Sequence, residues 1–494
     1  MTVIVLLCVS LGAAGVLAFA GDRRFAPELN ILASAATFAA SAALAVDVYV
    51  NGPLLAAGGF FFVDAFNVYL TVLTAFVSMT TAIFSRPYMR HERERGKVGH
   101  WGMRFYHAMF QLFIFAMLLA LLTNNVGVLW ISMELATLST VLLVSLYRTP
   151  SAIEAAWKYF ILCGVGIALA LFGTVLLYFA ADRVLGEGTP GLLWTNLNGV
   201  SSRLDPRVMS LAFIFFMVGY GTKVGLVPMH NWLPDAHSEG PTPISAVLSG
   251  LLLNVALYAL VRCKVLVDGA TQSHKAGYIM MFFGLLSLLV AAFSLLRQKD
   301  IKRFFAYSSI EHMGIATFAF GLGGPIATFG GLLHMLVHSL TKSSIFFAVG
   351  HAAQMTATQE MGRIQGLIRA NPFVGWGLMF GVMAIAGMPP FGVFASEFLI
   401  LTATMKDAWF LTPLFLLGIA VAFSALFRMV MPMVFGAAPE GLTRTHPAHL
   451  PVVLHMLLVL MLGIYLPSFL SEWFHKAVLL LIKYLLVWIW RICD

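Results

Sequence analysis

Fourteen times along the chain a nearly unbroken apolar run of about 17–25 residues recurs, each long enough to cross the hydrocarbon core of a bilayer as a helix. The runs are Val3–Phe19, Leu29–Val50, Phe60–Phe84, Tyr106–Leu122, Val126–Leu146, Ala156–Ala180, Val208–Val227, Ile244–Val267, Ala276–Leu296, Phe304–Gly321, Ala327–Val349, Phe373–Thr402, Trp409–Phe435 and Leu450–Leu470. With 60% of residues hydrophobic and 11% charged over 494 residues, the chain has too little polar surface for a soluble protein of its length. It reads as an all-α polytopic membrane protein. No positively charged stretch precedes the first run, which predicts a retained transmembrane helix rather than a cleaved signal peptide. A last apolar piece, Ala477–Trp490, is short and carries Lys483; of a fifteenth span and a helix lying in the interface, the second is favoured.

Several classes of chemistry are excluded. The cysteines Cys8, Cys163, Cys263 and Cys493 stand singly in or beside apolar runs with no Cys/His cluster, so no iron–sulfur site, zinc site or disulfide framework is expected, and no metal site is assigned. No GxGxxG follows a predicted strand and no Walker loop is present, so no cofactor is expected in this chain. The net charge of +8 reads as loop bias and not as nucleic-acid affinity. No polar stretch is long enough for a catalytic domain, and any redox chemistry belongs to partner subunits.

Loop charge sets the expected orientation. Lys and Arg number about seventeen in the odd-numbered connections against about seven in the even-numbered ones, which places the odd loops in the cytoplasm and the N-terminus outside. The main contributors, Arg86–Lys97 and Arg297–Arg303, read as solvated basic loops.

Two spans are broken by proline and glycine. Span seven runs into Pro228, Pro234, Pro241 and Pro243, and span twelve is interrupted at Gly387–Gly392. Breaks five spans apart suggest two five-helix repeats; an odd number of spans per repeat forces them into opposite orientations. The expected division is residues 1–105 for spans one to three, 106–267 and 276–435 for the two repeats, and 449–494 for span fourteen and the C-terminal segment.

Buried charge is expensive in lipid and marks function by default. Lys223 lies about a dozen residues into an apolar run, and Glu134 sits in span five with no charge near it in sequence. Such a carboxylate is either protonated or paired with a cation from another helix, and Lys223 is the natural partner. Span eleven presents His334, His338 and Lys342 at four-residue spacing on one helix face, a pattern suited to a hydrated proton relay. A metal is the rival there, but no carboxylate or cysteine accompanies the two histidines and HExxH is absent. Glu397 follows the second break, and Glu311 and His312 lie well inside span ten. Lys158 follows Glu154 at a helix start, where a surface pair competes with a pathway role. His230, Asp235 and His237 either line an uptake route near the first break or form a solvated turn.

The stretches KVGLVPMHNWLPDAHSEGPTP, DIKRFFAYSSIEHMGI, LLHMLVHSLTKSSIFF and GMPPFGVFASEFLIL resemble the antiporter-like membrane subunits shared by respiratory complex I, Mrp-type cation/proton antiporters and group 4 hydrogenases. Within that superfamily the wording is most similar to hydrogenase-4 component F of the formate hydrogenlyase type. The resemblance implies fourteen core helices, inverted repeats of spans four to eight and nine to thirteen, and a proton path across the midplane. It puts the superfamily's span-five glutamate on Glu134, its broken-helix lysine on Lys223, its span-eleven face on His334, His338 and Lys342, and its span-twelve charge on Glu397. One departure stands out: where the complex I M-type subunit has a central span-eight lysine, this chain has Asn254. The long lateral helix of the L-type subunit is also missing, with Ala477–Trp490 as its candidate remnant. The expected function is a proton-translocating subunit of a membrane-bound oxidoreductase complex in the inner membrane, with other membrane subunits and a peripheral redox arm as partners. The rival reading is a subunit of a Mrp-type Na⁺/H⁺ antiporter or another non-redox assembly.

Overall fold

The computed structural model describes residues 1–437, 445 and 447–493, with side chains up to residue 482; Lys483 and Cys493, singled out above, lie outside the described side chains. Each of the fourteen expected spans is a helix or a pair of half-helices. Among the described residues, eleven helices are long and apolar enough to cross a membrane on their own. Three of the fourteen are not, and each has a physical reason. Span ten, Ile301–Leu322, is more polar, with Glu311 and His312 inside it. Span twelve is split into Pro372–Ile385 and Gly392–Asp407. Span fourteen, His449–Ile464, is short and bends by 77° into the C-terminal helix that begins at Ser468.

That last helix runs to Cys493 and packs against one end of spans two, three and eleven. Trp473 stacks on Tyr49 and donates to the Ala65 carbonyl, while Phe474 packs on Tyr69 and Phe329.

Span three begins later than the apolar run suggests. Phe61–Val63 pairs with Leu54–Ala56 as a short antiparallel hairpin, and the helix starts only at Ala65. Asp64 is the reason: its carboxylate accepts from the amides of Phe66 and Asn67, and Asn67 returns the bond to the Asp64 amide, a reciprocal cap that sets the helix start.

The connections sort onto two faces. On the basic face, Asp22 accepts from Arg104 at 2.7 Å, which holds its carboxyl below the usual carboxylate range, and Glu28 pairs with Arg86 and Arg90. The Met361 amide donates to the Lys299 carbonyl and the Ala448 amide to His351, so the ninth, eleventh and thirteenth connections meet there. On the opposite face the Trp194 amide donates to the Asn124 carbonyl, and Arg262 pairs with Asp64 at 2.7 Å. Every odd connection named here is on the first face and every even one on the second, as a chain crossing at each span requires.

Spans eight and eleven form the axis of the bundle. The most apolar stretch of Thr242–Thr271 is 100% buried and that of Gly324–Thr356 is 94% buried, against 28% for Trp409–Phe435 at the rim. Neighbouring helices close up through small residues, Gly166 and Gly219 between spans six and seven, Gly284 and Gly314 between spans nine and ten. In lipid, where apolar burial drives little association, such close backbone contact supplies the packing. The protein is a multi-pass membrane protein whose axis is shielded from lipid, and its buried polar groups sit around that axis.

Candidate proton-transfer site

The first cluster is built at the break in span seven. Its first half, Pro206–Val224, is capped by the Asp205 carboxylate and ends at Gly225, whose φ of 83° is the left-handed conformation that glycine adopts without a side-chain clash. Trp232, opening the second half, donates its indole N–H to the Thr222 carbonyl at 2.8 Å and stacks on Tyr159 with ring centres 4.4 Å apart. The break therefore satisfies a carbonyl that helix termination frees, and it fixes Lys223 in the last helical turn. Lys223 is fully buried. Its ammonium donates to Thr137 Oγ1 and lies 3.8 Å from Glu134 Oε2. Glu134 and Thr137 are three residues apart on one face of span five, so a hydroxyl and a carboxylate face the same lysine.

The second cluster joins spans ten, eleven and twelve. His312 Nδ1 lies 3.2 Å from His334 Nε2 and 3.7 Å from Glu397 Oε1. His334 Nδ1 is 3.0 Å from Ser396 Oγ, and the Ser396 hydroxyl donates to the Val393 carbonyl. With its own proton committed, Ser396 accepts from His334 Nδ1–H, which leaves Nε2 of His334 as an acceptor for His312 Nδ1–H. His312 Nε2 is then unprotonated, and it faces Glu311 Oε2 at 3.9 Å. His338 stands with its ring centre 5.7 Å from that of His312 and 6.4 Å from that of His334; both its nitrogens are buried without a hydrogen-bond partner among the described residues. Lys342 is fully buried, donates to the Phe305 carbonyl at 3.1 Å and lies over the Phe305 ring. His334, His338 and Lys342 thus share a face as their spacing predicts, and Glu311, His312 and Glu397 join them from neighbouring spans.

Three of these groups, His312, His334 and Glu397, bring ligand-type atoms within 4.8 Å of one another. The carboxylate that the span-eleven spacing lacks is supplied by span twelve.

Asn254 stands between spans eight and eleven. Its amide donates to the Met335 carbonyl at 2.9 Å and to Ser339 Oγ at 2.7 Å, and Ser339 donates to the Gly250 carbonyl. Gly250 belongs to a π-helical turn, Leu248–Leu252, of the kind that recurs at functional sites. Asn254 is thus a brace between the two central spans.

The remaining predicted residues lie nearer the basic face. Lys158 is half exposed and pairs with Glu154 at 2.7 Å and Asp235 at 3.4 Å, the surface arrangement and not a buried relay position. Asp235 also pairs with Arg303. His237 is fully buried, stacked on Phe346, with both ring nitrogens lacking a hydrogen-bond partner among the described residues; His230 is nearly buried in the break. These are not parts of a solvated turn.

The two basic loops require a correction. Lys302 is buried and donates to the Gly240 carbonyl at 2.8 Å, and Glu92 is buried, accepting from Gln354 at 2.9 Å and pairing with Lys97 at 3.1 Å. Helical continuation carries both inward: span three extends to Glu94 and span ten begins at Ile301, so each side chain points into the bundle instead of into solvent.

The signature of the NADH:quinone oxidoreductase/Mrp antiporter transmembrane family matches residues 123–424, a stretch that holds both clusters. The chain belongs to this family. It is 51% identical over 424 residues to the hydrogenase-4 component F homolog of Methylacidiphilum infernorum, covering 86% of this chain and 89% of the relative. Its fold is similar to that of a chain of the membrane-bound sulfane sulfur reductase, an archaeal respiratory membrane complex, with a TM-score of 0.87 at 23% identity over 98% of each chain. It also matches a chain of the Mrp complex of Dietzia sp. DQ12-45-1b, with a TM-score of 0.82 at 17% identity over 98% of this chain and 97% of that one.

For this antiporter-family chain, two contributors to the clusters escape sequence reading, as does the buried Lys302 nearer the basic face. Thr137 and Ser396 are single hydroxyls in apolar helices, where such residues usually bond back to their own backbone. Their neighbours hold the signal, since Thr137 is three residues from Glu134 and Ser396 adjoins Glu397. Lys302 hides in a basic run.

Proposed function

We propose that this chain is the proton-translocating membrane subunit of a multisubunit oxidoreductase complex of the hydrogenase-4 type, related to complex I. The observation that carries this reading is the cluster of Glu311, His312, His334, His338, Lys342 and Glu397 on three adjoining spans at the shielded axis of the bundle. These groups can pass protons through histidine and carboxyl hops with intervening water. Buried charge of this density costs several kcal/mol per unpaired ion, so a merely structural role is a poor account of it. The 51% identity to a hydrogenase-4 component F homolog supports a redox assembly over a Mrp-type antiporter, for which the shared family signature and the fold argue. Nitrogen donors dominate the cluster, which favours H⁺ over Na⁺, a hard cation of the kind that takes oxygen ligands.

In this reading the other subunits are membrane neighbours and, through them, a peripheral redox arm. The basic face is cytoplasmic, the N-terminus is outside and the bilayer is the inner membrane. Lys223 with Glu134 forms one half of the route; the histidine cluster forms the other, with Glu397 at the outward end. The two repeats, spans four to eight and nine to thirteen, are inverted copies. The intact complex reconstituted in vesicles tests the function: reaction at the redox arm acidifies or alkalises the lumen, and a complex that turns over with no proton movement refutes the proposal. Single cysteines at the exposed positions Glu94 and Glu187 test the orientation. Impermeant reagent is expected to label the first only from the cytoplasmic side and the second only from outside; these positions avoid Gly96 and Gly188, whose positive φ disfavours a side chain.

A further inference from the structure

We infer that His312, His334 and Glu397 form a binding site for a zinc-class divalent cation. Two imidazoles and a carboxylate are a ligand set that zinc takes with a fourth position left to water. The spacing suits it. His312 Nδ1 and His334 Nε2 are 3.2 Å apart, and His312 Nδ1 and Glu397 Oε1 are 3.7 Å apart, close to the separations of neighbouring ligands around a tetrahedral ion with bonds of about 2.0–2.2 Å.

The outer contacts match as well. Ser396 accepts from His334 Nδ1–H at 3.0 Å, so the Nε2 lone pair is aimed at the site. When His312 binds through Nδ1, its proton lies on Nε2, which faces the Glu311 carboxylate at 3.9 Å. A metal-bound histidine commonly donates from its second nitrogen to an outer partner; His334 does so to Ser396, while His312 Nε2 stands near the Glu311 carboxylate without reaching it. His312 Nε2 and Glu311 Oε2 are buried and have no hydrogen-bond partner among the described residues, and a cation at Nδ1 would draw the two together.

The site adjoins the second break. The Glu397 carboxylate rests against Gly387, and Pro389 and Pro390 beyond it are exposed. The cation occupies the position of the proton that His312 and His334 share, so on the reading of the cluster as a proton route it blocks that route.

The test uses the intact purified complex in detergent, without turnover, titrated with Zn²⁺ and desalted. Zinc retained per complex is measured by elemental analysis, and its ligand shell by X-ray absorption. Wild type is expected to retain one more zinc than the His334→Ala or Glu397→Gln complex, with nitrogen and oxygen neighbours at about 2.0–2.2 Å. His338→Ala keeps that zinc, and Ser396→Ala weakens its binding roughly 10- to 100-fold. Copurification of the partner subunits shows that each variant has assembled. Equal zinc in wild type and in both ligand variants overturns the site, as does a shell for the extra zinc made only of sulfur or water. Proton movement measured in vesicles with zinc present separates the two proposals: zinc bound at these ligands with undiminished transport leaves the site standing and removes the cluster from the route.

Discussion

The Lys223 ammonium donates to the Thr137 hydroxyl, while the Glu134 carboxylate stands 3.8 Å away, beyond a direct hydrogen bond. A neutral acceptor holds the lysine within reach of its counter-charge without closing the pair. On the proposed function, this looser arrangement suits a charge that is gained and lost, since a tight buried ion pair would resist both.

Removing either charge is expected to stop the switch. Glu134→Gln and Lys223→Met each lower proton transfer by roughly tenfold or more, a barrier change of about 1.4 kcal/mol. The redox turnover of the partner subunits persists at least in part. Proton uptake measured beside turnover in reconstituted vesicles checks this, and normal uptake in both variants would make the pair structural.

Thr137 gives a finer test. Thr137→Ser keeps the hydroxyl and is expected to keep the rate, whereas Thr137→Val leaves the lysine only Glu134 and slows transfer several-fold. Equal rates in the two variants would show that the hydroxyl has no part in holding the lysine.

Lys342 and Asn254 are expected to part company. Lys342→Met abolishes translocation, because it removes the cation of the span-eleven face. Asn254→Ala leaves much of the transfer but strips two hydrogen bonds between the central spans, at a cost of about 1–3 kcal/mol in stability. Thermal unfolding of the detergent-solubilised complex, read beside the transport assay, separates the two effects; the opposite ranking in transport refutes the assignment.

The pair between Arg262 and Asp64 is predicted to be structural. It is buried, bonded at 2.7 Å to both carboxylate oxygens and stacked over Trp194 at 4.4 Å. Arg262→Ala strands a carboxylate that also caps span three, and about 3–5 kcal/mol is lost. The expected outcome is poor assembly in copurification; full assembly with unchanged unfolding temperature would contradict it.

Much of this was legible in the chain. Apolar run length locates the spans, because lipid leaves the backbone little choice but helix, and isolated charges such as Glu134 and Lys223 stand out against that background. Proline and glycine mark both breaks. What escaped reading depends on partners far away in sequence. Phe61–Val63 is as apolar as a helix start, and only the cap at Asp64 makes it a strand. The basic runs around Glu92 and Lys302 look solvated because charge pattern alone does not report which side of a helix end faces the bundle. Glu397 reaches His312 and His334 only through the crossing of three spans, which no local spacing encodes.

Span fourteen lies outside both five-span groups, yet its Gly463 rests so closely on the backbone of Pro390–Gly392 that a single added carbon has no room. The interruption of span twelve is therefore cast against a mould. Its loop has no room to move toward the neighbouring helix, and Glu397, about a turn and a half further on, inherits that constraint. A helix bearing none of the cluster's titratable groups thus acts as the template that sets where Glu397 stands.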